Sequence, residues 1–152
     1  MKPSTIHSVI ELSAALFILL FVYTATSKLL GMLAFHNTIA QFPLLQRYSL
    51  AISWFIPISE LIIAVWLFFP LTRILGLYAS LGLMTLFTVY IAFAMVYSSH
   101  LPCSCGGVIS KMTWKQHLLF NLFFIGVAVT GIVLQRKYQL LISRSSRIPV
   151  IK

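Results

Sequence analysis

Two cysteines separated by a single residue, in a chain that has no others, are the first side chains here able to do chemistry. They lie in His100-Leu101-Pro102-Cys103-Ser104-Cys105-Gly106-Gly107. In an oxidising compartment, cysteines this close should form a disulfide. Joining residues i and i+2 closes a small ring of constrained geometry, and strain makes a disulfide more reducible. Such a bond is a poor staple, because it closes almost no loop and removes little entropy from the unfolded chain. It suits thiol–disulfide exchange better, with Cys103 and Cys105 as the reacting pair; the competing reading is a local clip that only shapes its loop. His100, Lys111 and Lys115 bring positive charge that favours a thiolate. Gly106 and Gly107 leave the backbone open to a partner. His100, Cys103, Cys105, Met112 and His117 also offer soft ligands, but their spacing matches no usual zinc pattern and no metal site is assigned.

The second group is carried by apolar segments. Glu60 lies near the middle of a hydrophobic run, at a depth where a carboxylate is costly and normally faces other helices. Lys28, near the end of the preceding run, is the one cation within reach, unless it extends outward to the membrane surface. Asn121 is placed to hydrogen-bond across helices into the same cluster. His7, His36 and His117 read as interfacial residues without chemistry.

The elements that must position these groups are membrane spans. Of 152 residues, 60% are hydrophobic and 9% charged, whereas soluble domains carry roughly 25% charge. Spans of about 20 residues fit four apolar runs: Val9 to Leu30, Ser49 to Phe69, Ile74 to Tyr97 and Trp114 to Leu134. Ser8-x-x-Glu11 and Thr113-x-x-Gln116 have the form of capping boxes at two helix starts. Residues 31–48 mix Leu33, Phe35 and Ile39 with His36, Asn37 and Gln41, as a short interfacial helix would. Pro70-Leu71-Thr72-Arg73 is a tight turn that makes the second and third spans antiparallel neighbours. Gly76 with Ser80, and Gly126 with Thr130, give the small-residue spacing of close helix contacts. The expectation is an all-α, polytopic four-helix bundle over residues 1–135, followed by a basic cytoplasmic tail at 136–152.

A formal charge of +9, with five of eleven cations in the last 17 residues, fits anionic lipid and the positive-inside rule rather than nucleic acid. One side of the membrane collects Lys2, Arg73 and the five tail cations; the other collects Lys28, Arg47, Lys111 and Lys115. Both termini are therefore expected in the cytoplasm, with the cysteine loop on the opposite side.

Together these residues resemble the MauE/DoxX family of redox-associated membrane proteins. The resemblance rests on Thr26-Ser27-Lys28-Leu29, Pro57-Ile58-Ser59-Glu60-Leu61, Pro102-Cys103-Ser104-Cys105-Gly106-Gly107, and Trp114 followed by Asn121. It covers roughly residues 8–135, and departs from the family where Gly106 replaces an aromatic residue after the second cysteine. The resemblance implies a four-helix membrane fold in the bacterial inner membrane, with the cysteine loop in the periplasm. It further implies thiol–disulfide chemistry, as in maturation of a disulfide-rich periplasmic methylamine dehydrogenase. Lys28, Glu60, His100, Asn121 and Trp114 then support the cysteine pair. The expected partners are membrane lipids and a thioredoxin-like or disulfide-containing periplasmic protein. The alternative is an accessory subunit of a larger membrane complex, its cysteines purely structural. No motif specifies a cofactor, and none specifies a pocket for a quinone as onward electron acceptor.

Overall fold

Only helices form among the residues that a computed structural model describes, 3–41, 45–97 and 113–145. They are α1 (Pro3–Leu30), α2 (Met32–Ala40), α3 (Ser49–Phe68), α4 (Arg73–Tyr97) and α5 (Trp114–Ser145), with a single 3-10 turn at Gln46–Tyr48 before α3. In hydrocarbon each backbone amide must be satisfied within its own segment, which a long apolar run achieves as a helix. Helices α1, α3, α4 and α5 are each long and apolar enough to cross a bilayer. The chain is a multi-pass membrane protein.

The long helices form a ring in chain order. Helix α1 packs on α3 and α5, and α4 packs on the same two. The core contains Phe17, Phe21, Leu67, Leu77, Met84, Phe124, Ala128 and Ile132. Leu19, Phe55, Val89, Leu119 and Phe123 face outward instead, as lipid-facing side chains do.

Local signals account for most boundaries. Thr113 and Gln116 form the expected capping box: the Thr113 amide donates to Gln116 Oε1 at 2.9 Å, and the Gln116 amide to Thr113 Oγ1 at 3.4 Å. Ser8 and Glu11 do not. Helix α1 already begins at Pro3, a residue suited to a first helical turn. Ser8 donates instead to the Ser4 carbonyl, so the expected start at Val9 falls inside the helix. Helix α5 likewise runs past Leu134 to Ser145. The extension is held by Arg136 over the Tyr78 ring, 5.5 Å away, and by Tyr138 edge-on to His7 at 5.6 Å.

The two pairs of small residues differ. A Cβ on Gly76 would lie 2.9 Å from both the Leu67 amide nitrogen and Leu67 Cγ, so α4 rests tightly on the end of α3. Gly126 and Thr130 are exposed. Helix α5 makes its close approach at Gly131 instead, where a Cβ would be 3.2 Å from Leu77.

A buried polar cluster at one end of the bundle

The chain has two acidic residues, and both form ion pairs between α1 and the α3–α4 hairpin. At one end Arg73 Nη1 donates to Glu11 Oε1 at 2.6 Å, while Arg73 Nε donates to the Leu67 carbonyl at 3.3 Å. Arg73 is thus buried at the start of α4, and is a helix-packing residue rather than a free loop cation. His7 Nε2 stands 3.5 Å from the same Glu11 oxygen. About 25 Å further along α1, at 1.5 Å per residue, the polarity reverses: Lys28 Nζ donates to Glu60 Oε1 at 2.6 Å.

The Lys28–Glu60 pair is deep, with side-chain exposures of 4% and 1%. Lys28 therefore turns into the bundle instead of extending to the membrane surface. Its ammonium also lies 5.8 Å from the ring centroid of Phe35 in α2 and 5.6 Å from that of Phe87 in α4. Attraction to the two rings offsets part of the desolvation of a buried ammonium. Helix α2 is tied down by His36 Nε2 and Ser49 Oγ, 3.1 Å apart. On α3, Ser49, Ser53, Pro57 and Glu60 are buried along one face. Pro57 has no amide proton to give the Ser53 carbonyl, so this polar stripe is interrupted one turn before Glu60. Thr24, one turn before Lys28, donates to the Leu20 carbonyl at 2.9 Å and lies beside the Glu60 carboxylate.

Helix α5 closes the cluster with His117 and Asn121, 5% and 2% exposed. Phe17 and Phe124 are in edge contact at 5.3 Å, which sets the level of α5 against α1. His117 lies seven residues before Phe124, and Thr24 seven residues after Phe17. In antiparallel helices rising about 1.5 Å per residue, the two come level. Asn121 comes level with Leu20 by the same count. His117 is within electrostatic reach of Lys28.

Three enclosed polar atoms of this cluster, Glu60 Oε2, His117 Nδ1 and Asn121 Nδ2, have no hydrogen-bond partner among the described residues. A buried polar atom left unpaired costs about 1–3 kcal/mol. All three lie in the half of the bundle where α1 ends and α5 begins.

Lys28 and Glu60 are therefore brought together, while Asn121 is buried on α5 one turn after His117. Trp114 opens α5 one turn before His117. Cys103, Cys105, His100 and Lys111 lie outside the described residues, within the connection from Tyr97 to Thr113. The ends of that connection, α4 at Tyr97 and α5 at Trp114, belong to the same end of the bundle as Lys28. His117 was expected at the interface and is buried instead. Its spacing could have shown this: His117, Asn121, Phe124 and Ala128 recur every three to four residues, the period of one helix face.

The sequence model of a family described as methylamine utilisation protein MauE matches residues 6–134. No curated protein and no solved structure matches significantly. The match begins in the first turns of α1, ends inside α5, and takes in all four spans, the buried cluster and the cysteine connection. With that coverage, the chain belongs to the MauE family.

Proposed function

We propose that the chain is an inner-membrane accessory protein that exchanges disulfides with a periplasmic client through Cys103 and Cys105. The observation that carries this reading is the cysteine pair itself, the only thiols in the chain. They fall in the connection rooted at the end of the bundle where the buried polar cluster lies. In each exchange a thiolate of one partner attacks a sulfur of the other partner's disulfide. A mixed disulfide forms, the displaced sulfur leaves as thiolate, and the second thiol of the attacking pair resolves the complex. Two electrons pass from the dithiol to the disulfide, and no net proton is released. The family's description fits a client made for methylamine utilisation, for which a disulfide-rich periplasmic enzyme is the expected class.

The same description favours a second reading, an assembly subunit whose cysteine loop is structural. Replacing Cys103 and Cys105 together by serine separates the two. Exchange requires client maturation to be lost while the protein remains folded and inserted; the assembly reading requires maturation to persist.

The charge pattern supports the topology. Each of the two ion pairs engages one cation, Arg73 at the terminal side and Lys28 opposite. Six remain at the terminal side, Lys2, Arg136, Lys137, Arg144, Arg147 and Lys152, against Arg47, Lys111 and Lys115 opposite. The bias keeps both termini cytoplasmic. After mild reduction, a membrane-impermeant maleimide should label Cys103 and Cys105 in intact spheroplasts. Labelling only after the membrane is permeabilised would invert the topology.

A further inference from the structure

We propose that the strip of α5 ending in Arg136 and Lys137 binds an anionic phospholipid, its phosphate on the two cations and its acyl chains along the helix. The chain has two acidic side chains, and both are taken, Glu11 by Arg73 and Glu60 by Lys28. No acidic side chain remains for Arg136, Lys137, Arg144, Arg147 and Lys152. Their counter-charge therefore comes from outside the chain.

Position selects its source. Helix α5 has 32 residues, about 48 Å at 1.5 Å per residue, against roughly 30 Å of hydrocarbon. Its surplus length carries Arg136 and Lys137, both exposed, to the hairpin end of α4 and so to the phosphate layer. Arg136 is fixed there by the Tyr78 ring, 5.5 Å away. A guanidinium stacked on a ring keeps its N–H edge for phosphate oxygens, which it meets in pairs. Val129, Val133 and Arg136 recur at the spacing of one helix face, and both valines are exposed, so acyl chains can follow that strip toward the bilayer centre. Leu140, Leu141 and Ile142 are exposed beyond the cations. Nucleic acid would meet the charges and leave these apolar groups without a partner. Binding of this kind requires only that the chain spans a bilayer; neither disulfide exchange nor the direction of insertion enters it.

Native mass spectrometry of the full chain in neutral detergent tests this, with dimyristoyl phosphatidylglycerol as probe and dimyristoyl phosphatidylcholine as its uncharged counterpart. Phosphatidylglycerol should saturate at the lower concentration. Arg136→Gln should weaken it about fivefold, the value of one basic residue at a lipid surface, and leave phosphatidylcholine unchanged. Tyr78→Leu keeps every charge, yet should weaken phosphatidylglycerol roughly two- to fivefold by releasing the guanidinium. Lys152→Gln removes the same charge away from the strip and should change affinity less than about twofold, well under the value of a contact at the surface. Circular dichroism should show the same helicity in all three variants, which separates lost binding from lost fold. Equal affinity for the two lipids, or equal losses in Arg136→Gln and Lys152→Gln, would overturn the site and leave only diffuse attraction. Displacement of the lipid by glycerol 3-phosphate or by a short RNA at equal concentration would also overturn it, making a soluble phosphate or a nucleic acid the partner.

Discussion

Lys28→Met should destabilise the bundle by about 3–5 kcal/mol, the usual cost of leaving one partner of a buried ion pair uncompensated. Glu60→Leu should do the same from the other side, leaving a buried ammonium beside the rings of Phe35 and Phe87 with no carboxylate to balance it. The double variant Lys28→Met/Glu60→Leu should recover most of that loss, because exchanging a whole pair for apolar groups of similar volume is often neutral. Thermal unfolding in detergent, followed by loss of helicity, measures the cycle. Coupling of a few kcal/mol is expected between the two sites; simple additivity would show that the pair is not the unit of stability. The double variant then has a further use. If it folds but fails to support client maturation, the pair is kept for function, since stability alone would not require it. Glu60→Gln keeps a hydrogen-bonding partner for Lys28 and should lose less stability than Glu60→Leu.

The four spans, the short helix after the first and the α5 capping box were legible in the sequence because each depends on local pattern. Apolar run length fixes a span, and Thr113 and Gln116 satisfy each other within one turn. What was misread depended on distant partners. Ser8 and Glu11 have capping-box spacing, but Glu11 is bonded to Arg73, 62 residues away. Arg73 reads as a loop cation because it follows Pro70, yet it caps the carboxyl end of α3 by donating to Leu67. Lys28 and Glu60 were legible as a candidate pair, since a carboxylate in mid-span must find a partner and few cations are within reach. His117 reads as interfacial because it sits close to the polar connection; its burial is decided by the inward face that it shares with Asn121. The basic residues that follow Leu134 resemble a tail, whereas α5 continues to Ser145 with Arg136 and Tyr138 packed on Tyr78 and His7.

The second large effect concerns the cysteines. In the resting protein Cys103 and Cys105 should be joined, and the bond should be easily reduced. Proximity and an oxidising side favour formation, while the strain of an i to i+2 ring favours reduction. Its potential, titrated against glutathione or dithiothreitol buffers, should lie above about −300 mV, the region below which resistant structural disulfides fall. Removal of both cysteines should cost the fold almost nothing, because so short a loop contributes little entropy. Melting temperature should therefore be unchanged in Cys103→Ser/Cys105→Ser while exchange with a client is abolished. A potential below that limit together with a large loss of stability would instead identify a structural clip.

Disulfide exchange at this pair is tested most directly by trapping its intermediate. With the resolving cysteine replaced by serine, the remaining cysteine should be caught in a covalent complex with a thiol partner. Cys103→Ser and Cys105→Ser are both prepared, since either position can resolve. Membranes are quenched in acid, alkylated and run on non-reducing gels. One single variant should show a discrete higher-mass adduct that disappears with dithiothreitol and is absent from Cys103→Ser/Cys105→Ser. No adduct in either single variant, with both proteins folded and inserted, would contradict exchange and leave the chain an assembly subunit.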